Sequence, residues 1–493
     1  MVRVLGSLMI AATLVACGEV PAPAAAKHPA RGGGAPARAA SAPAPAAVPQ
    51  GSPWTYEVKA EPRGTSLRVE GRFPAGTPSS FEVGDGGERF VSDVAVVADG
   101  KRTAVVGQRA AWTIPQCAAG CVVTYTFALR AAGAASSERS VAEVRGDVVE
   151  SPPSVWLLRP AEAPAGSPFR FHVTSAPGEA FATGVFPVSG AADTYEGRTV
   201  EPFDLPYAAF GPMRRVQYAK GQLEVAYLPG TFRDEAAVAT WLERSAEVVA
   251  AYYGRPPVPR LLVLLQATPG SQIGFGSTMG MSGAAIDMAI GQDISAATMK
   301  DDWVLVHEMI HTALPDVTRQ HHWLEEGLAT YVESLARSRA GLVTQERVWR
   351  DWMDGMPKGQ PAPGDRGLDR THTWGRTYWG GALFCFAADI EIRTRTDNRR
   401  SLDDALRAVL AEGGNIAVSW PVERVLEVGD RATGVTVLRE LYDRMAPRAE
   451  RVDLDGMWRK LGVSRRGEKV VFDDQAPLAK VRIAMLTPAP AVR

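Results

Sequence analysis

The chain has 493 residues, of which 46% are hydrophobic and 22% charged, and its formal net charge is -1. That is enough apolar material for more than one core. A near-neutral chain has no electrostatic footprint for nucleic acid, so a nucleic-acid partner is set aside.

In chain order, Val2 and Arg3 precede an apolar run from Val4 to Ala16 that ends Leu14-Val-Ala-Cys17. Residues 1–17 read as an export signal rather than a structural helix. The small residues before the Cys resemble a bacterial lipobox. That resemblance implies that Cys17 is lipidated, becomes the amino terminus and anchors the chain in a membrane through several acyl chains. Gly18 in place of Asp implies an outer-membrane lipoprotein. Residues 18–53 are dominated by Ala, Pro and Gly and read as a flexible tether. No second apolar run has membrane-spanning length, so the lipid is the expected anchor.

Residues 54–227 have a β pattern. Val123, Tyr125, Phe127 and Leu129 alternate with Thr124, Thr126 and Ala128, and Leu67, Val69 and Gly71 alternate with Arg68 and Glu70. Turn residues recur between such runs, and an antiparallel β-sandwich is expected. Cys117 and Cys121 flank Ala-Ala-Gly in a loop between two strands. In an exported chain they are expected to form a disulfide, because a metal site would need more ligands. Cys385 reads as a buried small hydrophobe.

Residues 228–340 carry the chemistry. A helix from Thr231, apolar at Val238, Leu242, Val248 and Val249, stops at Gly254. Arg260–Gln266 reads as a buried strand and Ala284–Ile290 as a second. The Gly-rich stretch Gly274–Met288 lacks the Lys-Ser/Thr ending of a phosphate loop. Then comes Asp302-Trp-Val-Leu-Val-His-Glu-Met-Ile-His311. On a helix, His307 and His311 share a face and can aim at one metal ion, and Glu308 beside that face is placed as a general base. Trp303, Leu305, Val306, Met309 and Ile310 are apolar, so the helix is expected to be buried, and a buried His pair needs a partner to offset desolvation. Five residues alone also fit a core helix whose His side chains bond only to backbone. A second helical stretch after the break at Pro315, Trp323-Leu-Glu-Glu-Gly-Leu-Ala-Thr-Tyr-Val-Glu333, favours zinc. Two His and a carboxylate leave a fourth position open, as in a catalytic zinc site. From the residues, Glu326, Glu325, Asp316, His321 and His322 all compete as the third ligand.

From 341 to 465 the chain reads as helical, interrupted by the loop Met356–Asp365, which is placed to rim a cleft. Ser401 with Asp404 begins a helix as a capping box and Gly413-Gly414 ends it. Arg393 to Arg400 reads as a solvated face. Residues 466–493 read as a tail, too short for a further domain.

The pairing of His307-Glu-Met-Ile-His311 with Trp-Leu-Glu-Glu-Gly-Leu-Ala-Thr-Tyr331 resembles the gluzincin metallopeptidases. Thr377-Tyr378-Trp-Gly-Gly-Ala-Leu-Phe, Ala388-Asp-Ile-Glu-Ile-Arg-Thr-Arg-Thr and Ser401-Leu-Asp-Asp-Ala-Leu-Arg are similar to helices of the glycyl-aminopeptidase family, over about residues 220 to 415. The resemblance implies a multidomain α+β fold: an N-terminal β domain, a thermolysin-like α/β zinc domain and a C-terminal helical domain. It implies Zn2+ on His307, His311 and Glu326, Glu308 as base, and Tyr378 as hydrogen-bond donor to the oxyanion. An edge strand before the zinc helix would pair with substrate backbone. Gly380 stands where that family usually has Lys, and no Gly-x-Met-Glu-Asn exopeptidase motif precedes the zinc helix. His372 is a second candidate for the oxyanion. The expected function is zinc-dependent hydrolysis of peptide or protein substrates by an exported, lipid-anchored, aminopeptidase-like enzyme. The alternative is a non-catalytic, lipid-anchored protein that binds peptide or cell-wall material on the same fold.

Overall fold

The computed structural model describes residues 52–487, apart from 85, 99–100, 108–109, 136–140 and 200–203. Cys17 and nearly all of the tether lie outside the described residues. What is described belongs to one unit, Val48–Arg493.

The first part is built on a seven-stranded sheet. Its spatial order is Thr194–Arg198, Pro168–Thr174, Trp54–Ala60, Leu67–Phe73, Cys121–Phe127, Val91–Ala98 and Lys101–Ala104. The alternation in Leu67–Phe73 and Cys121–Phe127 buries Leu67, Val69, Phe73, Val123, Tyr125 and Phe127 on one face. Against them pack Trp156, Phe171, Phe181 and Phe210, all buried. The buried Tyr56 and Tyr125 hydroxyls donate to Leu158 O at 2.9 Å and Trp156 O at 2.8 Å, so neither phenol is buried without a partner. Cys117 and Cys121 form a disulfide across the turn Pro115–Ala119, and Cys385 is buried as a free thiol.

The expectation of a purely antiparallel sandwich is corrected. Trp54–Ala60 runs parallel to Pro168–Thr174, with Tyr56 opposite Phe171. A parallel pair needs only a long crossover, which the intervening strands supply, and alternation within a strand does not reveal its direction.

A five-stranded sheet follows, ordered Arg214–Tyr218, Leu223–Tyr227, Leu261–Thr268, Ala285–Gly291 and Ile273–Met279. Its three inner strands are parallel and its two outer strands are antiparallel to their neighbours. Leu223–Tyr227 is buried at every position, as a strand covered on both faces must be. This sheet therefore begins inside the stretch read as sandwich. Helix Glu235–Tyr253 covers one face. Asp234 caps it by accepting from Ala237 N at 2.9 Å, and Gly254, at φ 78°, closes it in the left-handed region.

Helices dominate from Val304 onward. Ser401 and Asp404 form the capping box. Two expectations are corrected here. Arg393 is buried at 5% exposure on a 3.0 Å ion pair with Asp389 one turn earlier, so the solvated face starts only at Arg395. Residues after 465 are not a tail: Val463–Arg466 and Lys469–Phe472 form a hairpin, and helix Ala479–Leu486 buries Val481, Met485 and Leu486. Arg339 donates to Met485 O at 3.0 Å. The apolar spacing of that helix spans barely two turns, too little to register as a period. Among the described residues no helix is long and apolar enough to cross a membrane.

Candidate metal centre

The helix Val304–His311 is set by its N-terminus. The Asp302 carboxylate accepts from Val304 N at 2.9 Å, Leu305 N at 3.1 Å and the Trp241 indole N–H at 3.1 Å. It thus satisfies two of the orphaned amides of the first turn. Leu305, Val306, Met309 and Ile310 are buried in the core, which turns the other side, with His307 and Glu308, toward the next helix and the edge strand.

That next helix, His322–Arg339, carries Glu326. Gly327 beside it is required by a backbone approach: a Cβ there would lie 2.1 Å from Gly381 C, and one on Gly381 would lie 1.9 Å from Trp323 O. Glycine on both helices lets the chains touch. The contact brings in the π-helical turn Gly375–Gly380, which carries Tyr378. Arg376 fixes this turn through a buried 2.8 Å ion pair to Asp365, at the end of the loop expected to rim the cleft.

Glu326 Oε2 lies 3.3 Å from His307 Nε2 and 3.6 Å from His311 Nε2, and one ligand atom from each residue falls within 4.8 Å of the others. The competing ligands are engaged elsewhere. Glu325 accepts from Val317 N at 3.2 Å, His321 Nδ1 pairs with Asp369 Oδ1 at 2.8 Å, and the Asp316 carboxylate is hydrogen-bonded by Ser419. His322 faces two carboxylates, with Nδ1 2.9 Å from Glu325 Oε2 and Nε2 3.3 Å from Glu326 Oε1. His372 lies exposed on the segment before the π turn.

The electrostatics follow from this crowding. Burial disfavours a charged Glu326, yet His311, His307 and His322 hold it far below the usual carboxylate range. Burial likewise opposes charge on His311, but Glu326, with smaller contributions from Glu308 and Glu325, raises it to about 9. Hydrogen bonds to Glu325 and Glu326 raise His322 to about 10. Burial pushes the Tyr378 phenol up, and Glu326 and Glu308 push it further.

Two contributors were not singled out in the sequence. Gly276, on the edge strand, lies against Glu308, since a Cβ there would sit 2.4 Å from Glu308 Cγ. Two residues on, the Thr278 hydroxyl donates to Glu308 Oε2 at 2.6 Å. A glycine inside a strand pattern, with a hydroxyl two positions later on the same face, is a signal of close approach. Tyr378 stacks toward His307 with ring centroids 6.3 Å apart, and toward Trp374 at 5.9 Å. Trp303 meets His307 edge-on at 5.5 Å.

Two imidazole nitrogens and a carboxylate oxygen, nearly buried and drawn to one point, are a donor set suited to Zn2+. The residues fit the ion. Glu143, Glu150 and Asp287 also bring ligand atoms within 4.8 Å of one another, but Arg145 sits among them at 3.1, 3.2 and 2.6 Å.

No family model and no curated protein matches the sequence. Solved structures do match. An aminopeptidase N family protein from Idiomarina loihiensis superposes with a TM-score of 0.63 at 12% identity, covering 83% of this chain and 78% of that one. A mutant M1 zinc metallopeptidase from Deinococcus radiodurans superposes with a TM-score of 0.50 at 15% identity, covering 81% and 94%. The fold is gluzincin-like, of the aminopeptidase-N kind.

Proposed function

We propose, taking that fold as the premise, that the chain is a zinc-dependent peptidase acting at His307, His311 and Glu326, exported and held at the outer membrane through Cys17. The observation that carries this is the convergence of these three donors with Glu308 and Tyr378 around one point. Zinc on the three donors would supply a Lewis acid for the scissile carbonyl and for water.

The chain's own residues supply the rest. Glu308 packs closely on Gly276 and accepts from Thr278 at Oε2, which leaves Oε1 to take the proton of the attacking water and pass it to the leaving amine. The Tyr378 phenol, kept protonated by burial and neighbouring carboxylates, donates to the oxyanion as it forms. Ile273–Met279 is the edge of its sheet and offers its open side to an extended peptide, while Trp303 and Trp374 present apolar faces beside the centre. Cleavage one residue from the amino terminus is the expected mode.

The test is incubation of the full chain with a mixed peptide library, read by mass spectrometry for new termini, with Glu308→Gln alongside. The wild type is expected to cut, and the variant to keep its zinc while kcat falls about 10²–10⁴-fold. Equal turnover in the two would overturn the assignment. Internal cuts would replace the aminopeptidase mode with an endopeptidase.

A further inference from the structure

We infer that His322 is a positioning residue for the metal centre, fixing Glu326 so that a single oxygen is presented to the ion. This rests on the zinc-site half of the proposed function. It comes from how the two Glu326 oxygens are used. Oε2 points between His307 and His311, at 3.3 and 3.6 Å, whereas Oε1 is turned the other way, 3.3 Å from His322 Nε2. His322 is one turn before Glu326 on the same helix, where side chains four apart meet. Its ring is held from its far side: Nδ1 lies 2.9 Å from Glu325 Oε2, and Glu325 is held in turn by Val317 N at 3.2 Å.

The result is a relay of four groups, Val317 N–H, Glu325, His322 and Glu326, that begins on backbone and ends on a metal ligand. A carboxylate on a short, flexible side chain can bind an ion through one oxygen or both. An N–H donor on one oxygen removes that choice and leaves room in the coordination sphere for substrate. The helix supplies the rest of the rigidity, because Gly327 is locked against Gly381 directly after the ligand. His322 is half exposed and lies outside the three-residue ligand cluster, so its role is to orient, not to bind.

The test uses the full chain and two variants. His322→Gln keeps an N–H donor close to the Nε2 position, and His322→Leu keeps bulk without a donor. Zinc affinity is measured by competition with a chromophoric chelator, the ligand field by the visible spectrum of the Co2+-loaded protein, and folding by the thermal midpoint of the metal-free chain. His322→Leu is expected to weaken zinc binding about 10–100-fold and alter the Co2+ spectrum, while the metal-free chain still unfolds cooperatively at a somewhat lower midpoint because the ion pairs of the ring with Glu325 and Glu326 are gone. His322→Gln is expected to restore both. Wild-type affinity in His322→Leu would overturn the inference, as would equal weakening in both variants. A wild type that binds zinc with the expected variant pattern yet cuts no peptide would sink the peptidase reading alone, and a wild type that binds no zinc would sink both.

Discussion

Two triads of ligand-type side chains in this chain each bring ligand atoms within 4.8 Å of one another and meet opposite fates. Glu143, Glu150 and Asp287 gather around the Arg145 guanidinium, which meets all three within 3.2 Å. His307, His311 and Glu326 converge with no Arg or Lys paired to them among the described residues. The first triad carries its own cation and ties the hairpin Glu143–Arg145/Val148–Glu150 to strand Ala285–Gly291. The second sets two imidazole nitrogens beside one carboxylate with no guanidinium between them, and its neighbouring cation, His322, lies on the outer Oε1 of Glu326. Proximity of carboxylates and imidazoles therefore does not define a metal site. What matters is whether a cation of the chain already sits at the point where the donor atoms converge.

The largest expected effect separates the two directly. Arg145→Met removes the guanidinium that three clustered carboxylates share, two of them buried, and breaking a buried pair of this kind costs about 3–5 kcal/mol. The urea midpoint of the full chain should fall accordingly, while zinc affinity stays at the wild-type value. If instead the variant binds zinc at the Glu143 cluster and regains its stability, the distinction between the triads is wrong.

The second effect is one of pH and concerns only the imidazole triad. In the metal-free protein His311 titrates at about 9, above the roughly 6.5 of an unfolded histidine. A raised value means that protonation stabilises the metal-free fold fully below about pH 6.5, a contribution lost as pH rises through about 9. Zinc takes only the neutral ring, so below that value each ion must displace a proton. Apparent zinc affinity should therefore rise about tenfold per pH unit from pH 6 to pH 8. Titration with zinc across that range checks it, and a flat profile would remove His311 from the ligand set.

How much of this was legible in the sequence depends on whether the relevant spacing is local. His307 and His311 are four apart on a helix whose other face is apolar, and that alone declares a shared direction. Glu326 and Glu325 are adjacent, so choosing between them needs the phase of the second helix, which Gly327 sets by touching Gly381 more than fifty positions away. The resemblance to gluzincins pointed to Glu326, and the geometry brings that residue to the two His. Gly276 and Thr278 stayed hidden because they matter through a partner on another element. The same holds for Trp54–Ala60, whose alternation showed a strand but not that its neighbour would be the parallel Pro168–Thr174. The burial of Arg393 escapes the sequence because charge density in a stretch says nothing of Asp389 one turn earlier.

The smallest effect probes what surrounds the imidazole triad. Trp374 is 54% exposed, yet one side of its indole rests on Tyr378 at 5.9 Å, and Lys358 lies 5.9 Å from the ring centroid. An indole left half in water, beside a residue proposed to hold the oxyanion, is an apolar surface that bound substrate would cover. Covering about half of such a ring is worth roughly 1 kcal/mol. Trp374→Ala should therefore raise KM about fivefold for peptides with a large apolar side chain next to the scissile bond. It should leave KM nearly unchanged for the matching alanine peptides, with zinc affinity as in the wild type. The two peptide series, compared in both proteins, separate packing against substrate from support of Tyr378. Loss of the second kind would lower kcat equally for both series and would reassign Trp374 from the substrate to the turn that carries the tyrosine.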